Sequence, residues 1–394
     1  MKKILVIGGG FAGCATAHLM SMESGWDVTL VEAAPFLGAG NRTQNYGGHP
    51  HTFGPRHFLT PREDIYEYLN AIVPLRSCED HEFLSYVKDD ECFYSYPIHR
   101  DDIQLMPEKK QIEKELTDIN QAELQLLDKD EANKLTDKEV RQLNSAHKAK
   151  NFEEFWTYSI GETLYKKFVK DYSEKMWLID DNKLIDDFAW SPKGYTIKEG
   201  GRQAWDSAIS AYPHAKNGYD DYFDISTQDV TVLVSTFIEK FDIPNKTVTI
   251  NGESLKFDVI VSTISPDKLF ESCHGELPYV GRDLQLIVLP VEFALPEHIY
   301  FIYYSGKETH TRVVEYKKFT QHESPTTLIS IETPSDRNKH YPLPFESEKA
   351  KAKKYFDEMP DGVFSIGRAG SYHYNVDIDD TIAHAMKVRD ALKS

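Results

Sequence analysis

Gly8, Gly10 and Gly13 form the pattern G-x-G-x-x-G directly after the apolar run Ile4-Leu5-Val6-Ile7, and Glu32 closes a second run, Asp27-Val28-Thr29-Leu30-Val31, nineteen residues after Gly13. Glycines at this spacing let the backbone approach a pyrophosphate. A helix entered at Phe11 and running roughly from Ala12 to Met22 would aim its free N–H groups at that ligand, and an acid at the end of the second strand accepts hydrogen bonds from both hydroxyls of an adenosine ribose. Strand, glycines, helix, strand and acid in register point to a non-covalently bound dinucleotide. We read it as FAD, with Gly8, Gly10, Phe11, Gly13 and Glu32 among its contacts.

These residues need a scaffold. The chain has 394 residues, 40% of them hydrophobic and 12% aromatic, enough for two or three domains with their own cores. A net charge of −18 argues against a general nucleic-acid or anionic-membrane surface, so an anionic ligand must meet a few placed arginines. No apolar run reaches the length of a membrane span, and the N-terminus enters a strand without the apolar region of a signal peptide. A cytoplasmic protein is the expectation. Cys14, Cys78, Cys92 and Cys273 form no C-x-x-C pair, which predicts buried free thiols and no metal site.

The pattern predicts an α/β fold: a Rossmann-type FAD-binding domain with an inserted helical domain and a mostly antiparallel β-sheet domain. Residues 1–75 supply the first part of the FAD-binding unit, including a loop rich in Gly, Asn and His from Phe36 to Pro61 and a helix over Glu63–Val73. Residues 76–180 form a mainly helical substrate or dimerisation domain. Strand-like pieces at Glu82–Val87 and Glu91–Tyr96 open it, charged amphipathic helices fill Asp101–Lys150, and an aromatic helical stretch runs over Asn151–Trp177. Residues 181–350 are mixed, with a mobile loop, strands returning to the FAD domain at about 227–266, and β alternation at Leu284–Val291, Ile299–Tyr304, Arg312–Tyr316 and Thr327–Glu332. Residues 351–394 close the FAD unit, with a strand at Gly362–Arg368 and a last helix from Asp379 and Asp380 to about Leu392.

Together these pieces resemble the UDP-galactopyranose mutase family. Its bacterial members carry a Gly-Gly-Asn turn, a loop Gly-Ala/Pro-His-Ile-Phe-His-Thr, a helix ending Tyr-Thr-Glu-Lys-Gln-Trp, a strand Thr-Arg-Ile/Val-Ile/Val-Glu, and a late Gly-Arg followed by two tyrosines. The corresponding segments here are Gly38-Ala39-Gly40-Asn41, His51-Thr52-Phe53-Gly54-Pro55-Arg56-His57-Phe58-Leu59-Thr60, Tyr172-Ser173-Glu174-Lys175-Met176-Trp177, Thr311-Arg312-Val313-Val314-Glu315 and Gly367-Arg368-Ala369-Gly370-Ser371-Tyr372-His373-Tyr374. The resemblance implies that reduced FAD attacks the anomeric carbon of a nucleotide sugar through N5, giving pyranose–furanose isomerisation with no net redox change. It implies a UDP-hexose as substrate, a homodimer, an external reductant for the flavin and a role in polysaccharide biosynthesis.

Residue by residue, the resemblance makes Phe168 and Tyr172, four apart on a helix, the pair that sandwiches uracil, with Trp177 lining the same pocket. Arg312, Tyr341 and Tyr374 contact phosphate, Arg368 stands beside the flavin and Glu332 near the sugar. Gly40, Asn41, Arg56, His57, Gly367 and Asp379 complete the cofactor contacts. Three departures stand out. The loop histidines become Arg56 and Leu59, with a histidine displaced to position 57. The lid arginine expected after the tryptophan is missing, leaving Lys193 or Arg202 to replace its charge, while extra residues follow at Ala211–Ser226. An asparagine expected on the sugar side is Ser95. Two other readings stay open: an amine-oxidase-like FAD oxidoreductase, and a catalytically silent FAD-binding homologue.

Overall fold

The computed structural model describes residues 1–124, 148–186, 197–205 and 208–393. Ile4, Leu5 and Val6 are completely buried, because the strand Lys2–Ile7 is the middle strand of a parallel sheet covered on both faces. Trp26–Val31 and then Thr231–Leu233 lie on one side of it, Val259–Ser262 and then Val363–Ser365 on the other, all parallel. The chain therefore leaves the middle strand in both directions, and a crevice opens at the carboxyl ends of Lys2–Ile7 and Val259–Ser262, where α/β sheets bind their ligands.

The helix Phe11–Ser21 returns over this sheet. Gly13 allows the close approach: a Cβ there would stand 1.8 Å from the Gly8 carbonyl oxygen. The final helix, Ile378–Lys393, packs alongside with Ile382, Ala385 and Val388 buried against the same core as Cys14 and Ala17. Of the strands expected at about 227–266, Thr231–Leu233 and Val259–Ser262 join this parallel sheet, whereas Ile238–Asp242, Thr247–Ile250 and Glu253–Lys256 form a separate antiparallel one.

A second sheet runs in the order Tyr341–Pro342, Tyr279–Leu289, Thr327–Ser335, Arg312–Glu315, Ile299–Tyr304, Glu82–Val87, Cys92–Ser95. Its neighbours are antiparallel except Ile299–Tyr304 with Glu82–Val87, which are parallel. Against it lies a helical layer with its own core, built from Lys109–Leu124, Phe152–Ile160 and Glu162–Trp177, around Ile112, Leu116, Phe155, Leu164 and Phe168. The amphipathic pattern expected up to Lys150 falls partly outside the described residues.

One expectation is corrected, and another gains a structural role. Cys14 and Cys78 are buried thiols, but Cys92 and Cys273 are exposed, the first at the start of an edge strand and the second in a surface turn. The extra residues expected at Ala211–Ser226 are built into the core. They belong to the strand Ile209–Pro213 and the helix Asp220–Ser226, and Tyr219, Tyr222 and Phe223 enclose the Phe11 ring with centroids 5.2, 5.0 and 5.0 Å away. Among the described residues, no helix is long and apolar enough to cross a membrane.

Candidate functional site

A cavity of about 550 Å³ opens from the crevice of the parallel sheet onto the face of the antiparallel one. Such a volume suits a small-molecule site. On the parallel-sheet side Gly8, Gly10, Phe11, Glu32, Gly40 and Asn41 line it. The Glu32 carboxylate is fixed by backbone donors, the Gly9 N–H at 2.6 Å and the Ala34 N–H at 2.7 Å. No side chain caps the helix at Gly10 and no acid stands in its first turn, so its N-terminus keeps its positive character toward the cavity. The Asn41 side-chain oxygen is buried without a hydrogen-bond partner among the described residues. Gly367 and Arg368 reach the same space from the C-terminal segment. Gly13 lies one layer down, packing helix on strand. Asp379 is not on the cavity wall; it accepts from Arg62 at 2.5 Å at the start of the last helix.

The opposite wall is cationic. Arg312 and Glu332 are cross-strand neighbours, and Arg312 donates from Nε at 3.0 Å and from Nη2 at 2.6 and 2.9 Å to the Glu332 carboxylate. Arg282 Nε lies 3.4 Å from the same carboxylate. Gly54, at φ +76°, brings the preceding loop against this pair, for a Cβ there would lie 3.5 Å from Glu332 Oε2. Burial alone would neutralise Glu332, but Arg312 and Arg282 hold it below the usual carboxylate range. Burial likewise opposes the charge on Arg312, and Glu332 outweighs it, raising the guanidinium pKa.

Tyr341 sits between two guanidinium groups, with Arg282 4.7 Å and Arg368 5.1 Å from its ring centroid. Burial opposes its ionisation, yet Arg56, Arg368 and Arg282 together bring the phenol below its ordinary value. Arg368 is oriented by Val376 O at 2.9 Å and Asp377 at 2.8 Å. Arg56 lines the cavity with no ion-pair partner among the described residues, and its Nε is buried and unbonded.

Aromatic side chains complete the wall. Tyr172 faces the cavity against Tyr303, with centroids 5.7 Å apart, and burial pushes its phenol up to about 12. The helix carrying it is tied down by Lys175, whose Nζ donates to Tyr304 O at 2.6 Å and Gly306 O at 2.7 Å. Phe168 is not on the cavity surface. It is 3% exposed and packs in the helical core against Tyr94 and Tyr96. Residues 166–170 form a π turn, whose wider spacing rotates Phe168 away from the face that Tyr172 presents. Trp177 is also buried, edge-on to Tyr374 at 4.8 Å, and Tyr374 in turn contacts Tyr341 at 5.5 Å on the cavity wall.

The comparisons with known proteins follow the two walls. A profile for an NAD(P)-binding Rossmann-like domain matches residues 6–72, and one for UDP-galactopyranose mutase matches residues 167–374, more than half of the chain. The chain belongs to the UDP-galactopyranose mutase family. It is accordingly an enzyme of the mutase type, an isomerase. A protein described as a probable UDP-galactopyranose mutase of Klebsiella pneumoniae is 24% identical over all of this chain and 95% of its own length. The dTDP-fucopyranose mutase of Escherichia coli is 22% identical over 98% of this chain and 97% of its own. The crystal structure of a reduced UDP-galactopyranose mutase matches the fold with a TM-score of 0.76 at 17% identity, covering 100% of this chain and 94% of that one.

The mutase family implies a flavin, and the residues fit one: an uncapped helix N-terminus, a carboxylate held by two backbone N–H groups, and the unbonded Asn41 oxygen all border one cavity. Where this chain departs from the family pattern, the structure assigns contacts. Arg202 donates to Ser95 Oγ and pairs with Asp102 at 2.9 Å, and Asp102 accepts the Ser95 N–H at 2.6 Å; none of the three lines the cavity. Lys193 lies outside the described residues. Arg282, Lys339, Tyr303 and Trp205, which the sequence reading missed, all line the cavity. Arg282 lies inside the strand Tyr279–Leu289, ahead of the alternation that begins at Leu284, and no spacing in the sequence marks it.

Proposed function

We propose that the protein binds FAD and, with the flavin reduced, interconverts the pyranose and furanose forms of a nucleotide-linked hexose without net redox change. A UDP-hexose such as UDP-galactose is the first candidate, and the names of the two relatives leave dTDP-linked deoxy sugars as the next. What carries the reading is one cavity that joins the dinucleotide fingerprint to an arginine cluster. Bound and reduced, FAD supplies a nucleophilic nitrogen, N5, for the anomeric carbon.

The chain's own residues do the rest. Arg312, Arg282 and Arg368 hold the diphosphate as its bond to the sugar breaks, so that it stays in place to rebond, and fixed guanidinium groups stabilise that charge without reorganising. Glu332 keeps the Arg312 fork oriented. Tyr341 and Tyr374 offer hydroxyl groups to the same phosphates, and Tyr172 offers a flat face to the base. Trp177 backs Tyr374 from the layer behind. An amine oxidase would have no use for such a cluster of arginines.

In this reading the enzyme works in the cytoplasm, as a homodimer, takes its electrons from an external reductant and feeds a furanose sugar to polysaccharide assembly. The test is anaerobic incubation with UDP-galactose and related UDP- and dTDP-linked sugars, with and without dithionite, followed by chromatography. Furanose product in the reduced sample alone supports it. Flavin-loaded protein that converts no nucleotide sugar in either state refutes it.

A further inference from the structure

Next to the arginine cluster the cavity changes character. His57 and Trp205 line it together with Leu59, Phe83 and Phe301. Both ring nitrogens of His57, both of His81 and the indole nitrogen of Trp205 are buried without a hydrogen-bond partner among the described residues. His81 and Trp205 both pack near His57, with ring centroids 5.5 and 6.1 Å from it. The surroundings are aromatic: Phe83 meets Trp205 edge-on at 5.5 Å, and Phe301 lies 4.7 Å from Phe83 and 6.3 Å from His57.

An unbonded buried polar atom costs about 1–3 kcal/mol, so an apolar wall does not carry several of them without a use. Burial, with the nearby charge of Arg312, pushes the His57 pKa down to about 3, and a neutral imidazole offers one donor and one acceptor. The indole adds a donor. Arg312 stacks over Phe301 at 5.3 Å, so the charged and the uncharged halves of the cavity meet at that ring. A ligand filling both halves needs an anionic end beside a neutral, hydrogen-bonding one.

We propose that His57 and Trp205 form a neutral hydrogen-bonding subsite for an uncharged polar substituent of the sugar, a hydroxyl or an acylamino group, next to the arginines that take the diphosphate. The assignment rests on the mutase reading and moves His57 from the cofactor to the sugar.

Titration calorimetry on the FAD-loaded protein tests it, with UDP, UDP-galactose and UDP-N-acetylgalactosamine as probes and His57→Phe, His57→Gln and Trp205→Phe as variants. In His57→Phe and Trp205→Phe the sugar nucleotides lose about ten-fold in affinity, the cost of a hydrogen-bonding site left unpaired, while UDP binds as to wild type. His57→Gln, which keeps a donor and an acceptor, recovers most of the loss. A larger loss for the N-acetylated sugar marks an acylamino contact, and equal losses mark a hydroxyl; both support the subsite. Affinities for UDP and its sugars that fall in parallel, affinities that do not change, or FAD lost from His57→Phe would each overturn it. Wild-type protein that binds none of the probes overturns the UDP-hexose reading and the subsite with it, whereas wild type that binds them beside unchanged variants overturns the subsite alone.

Discussion

Arg312 and Glu332 face each other in register across two antiparallel strands, and their side chains close a two-pronged ion pair in the cavity wall. Arg282 leans on the same carboxylate. One buried anion thus holds two guanidinium groups apart and in place. Replacing Glu332 with Ala leaves both charges buried and facing each other, and removal of one member of a buried pair destabilises by about 3–5 kcal/mol. Urea unfolding of Glu332→Ala reads that loss directly. Unchanged stability would mean that Arg312 is fixed by something other than the carboxylate.

Gly13 is predicted to be irreplaceable for cofactor binding. An alanine Cβ at that position meets the Gly8 carbonyl oxygen at 1.8 Å, a backbone atom that cannot move aside alone. The helix must lift from the strand, carrying its N-terminus away from the crevice. Gly13→Ala protein should purify colourless, with less than about a tenth of the wild-type flavin content, since the fingerprint depends on that close packing. An absorbance scan at the flavin band is sufficient.

The fingerprint was legible in the sequence because each part of it is local: glycine geometry, an apolar strand and an acid at fixed spacing. The antiparallel strands were legible for a similar reason, their alternation. Less legible was anything set by an angle or by a distant neighbour. Phe168 and Tyr172 read as one helical face, but the π turn between residues 166 and 170 changes the angle per residue, and no spacing rule announces it. Arg282 lies ahead of the alternation that begins at Leu284, so the strand's true start, Tyr279, brought it onto the wall unannounced. The segment Ala211–Ser226 read as an insertion, yet its aromatic rings enclose Phe11.

Acid should unfold this protein earlier than its carboxylates alone would dictate. Burial depresses the pKa of His57 from 6.5 to about 3, and those of His340 and His322 to about 4. A group that is harder to protonate when folded contributes stability above its unfolded pKa, and loses that contribution as pH falls toward its folded value. Stability should therefore hold above pH 6.5 and drop through the range between 6.5 and 4. Urea midpoints at pH 7.5, 6 and 5 measure it. A flat profile across that range would show that these imidazoles are protonated in the fold.

Tyr172 and Phe168 should separate binding from stability. The Tyr172 ring faces the cavity, and stacking of a base on an aromatic face is worth about 1–3 kcal/mol, so Tyr172→Ala should weaken UDP binding by about 5- to 150-fold. Tyr172→Phe keeps the ring and should keep the affinity. Phe168 is buried among Tyr94, Tyr96 and the helical core, where Phe→Ala typically costs about 3–5 kcal/mol. Phe168→Leu, the gentler change, should lower the melting temperature and leave the UDP affinity of the folded protein close to wild type. If it weakens UDP as much as Tyr172→Ala does, the π turn must rearrange on binding so that both rings grip the base.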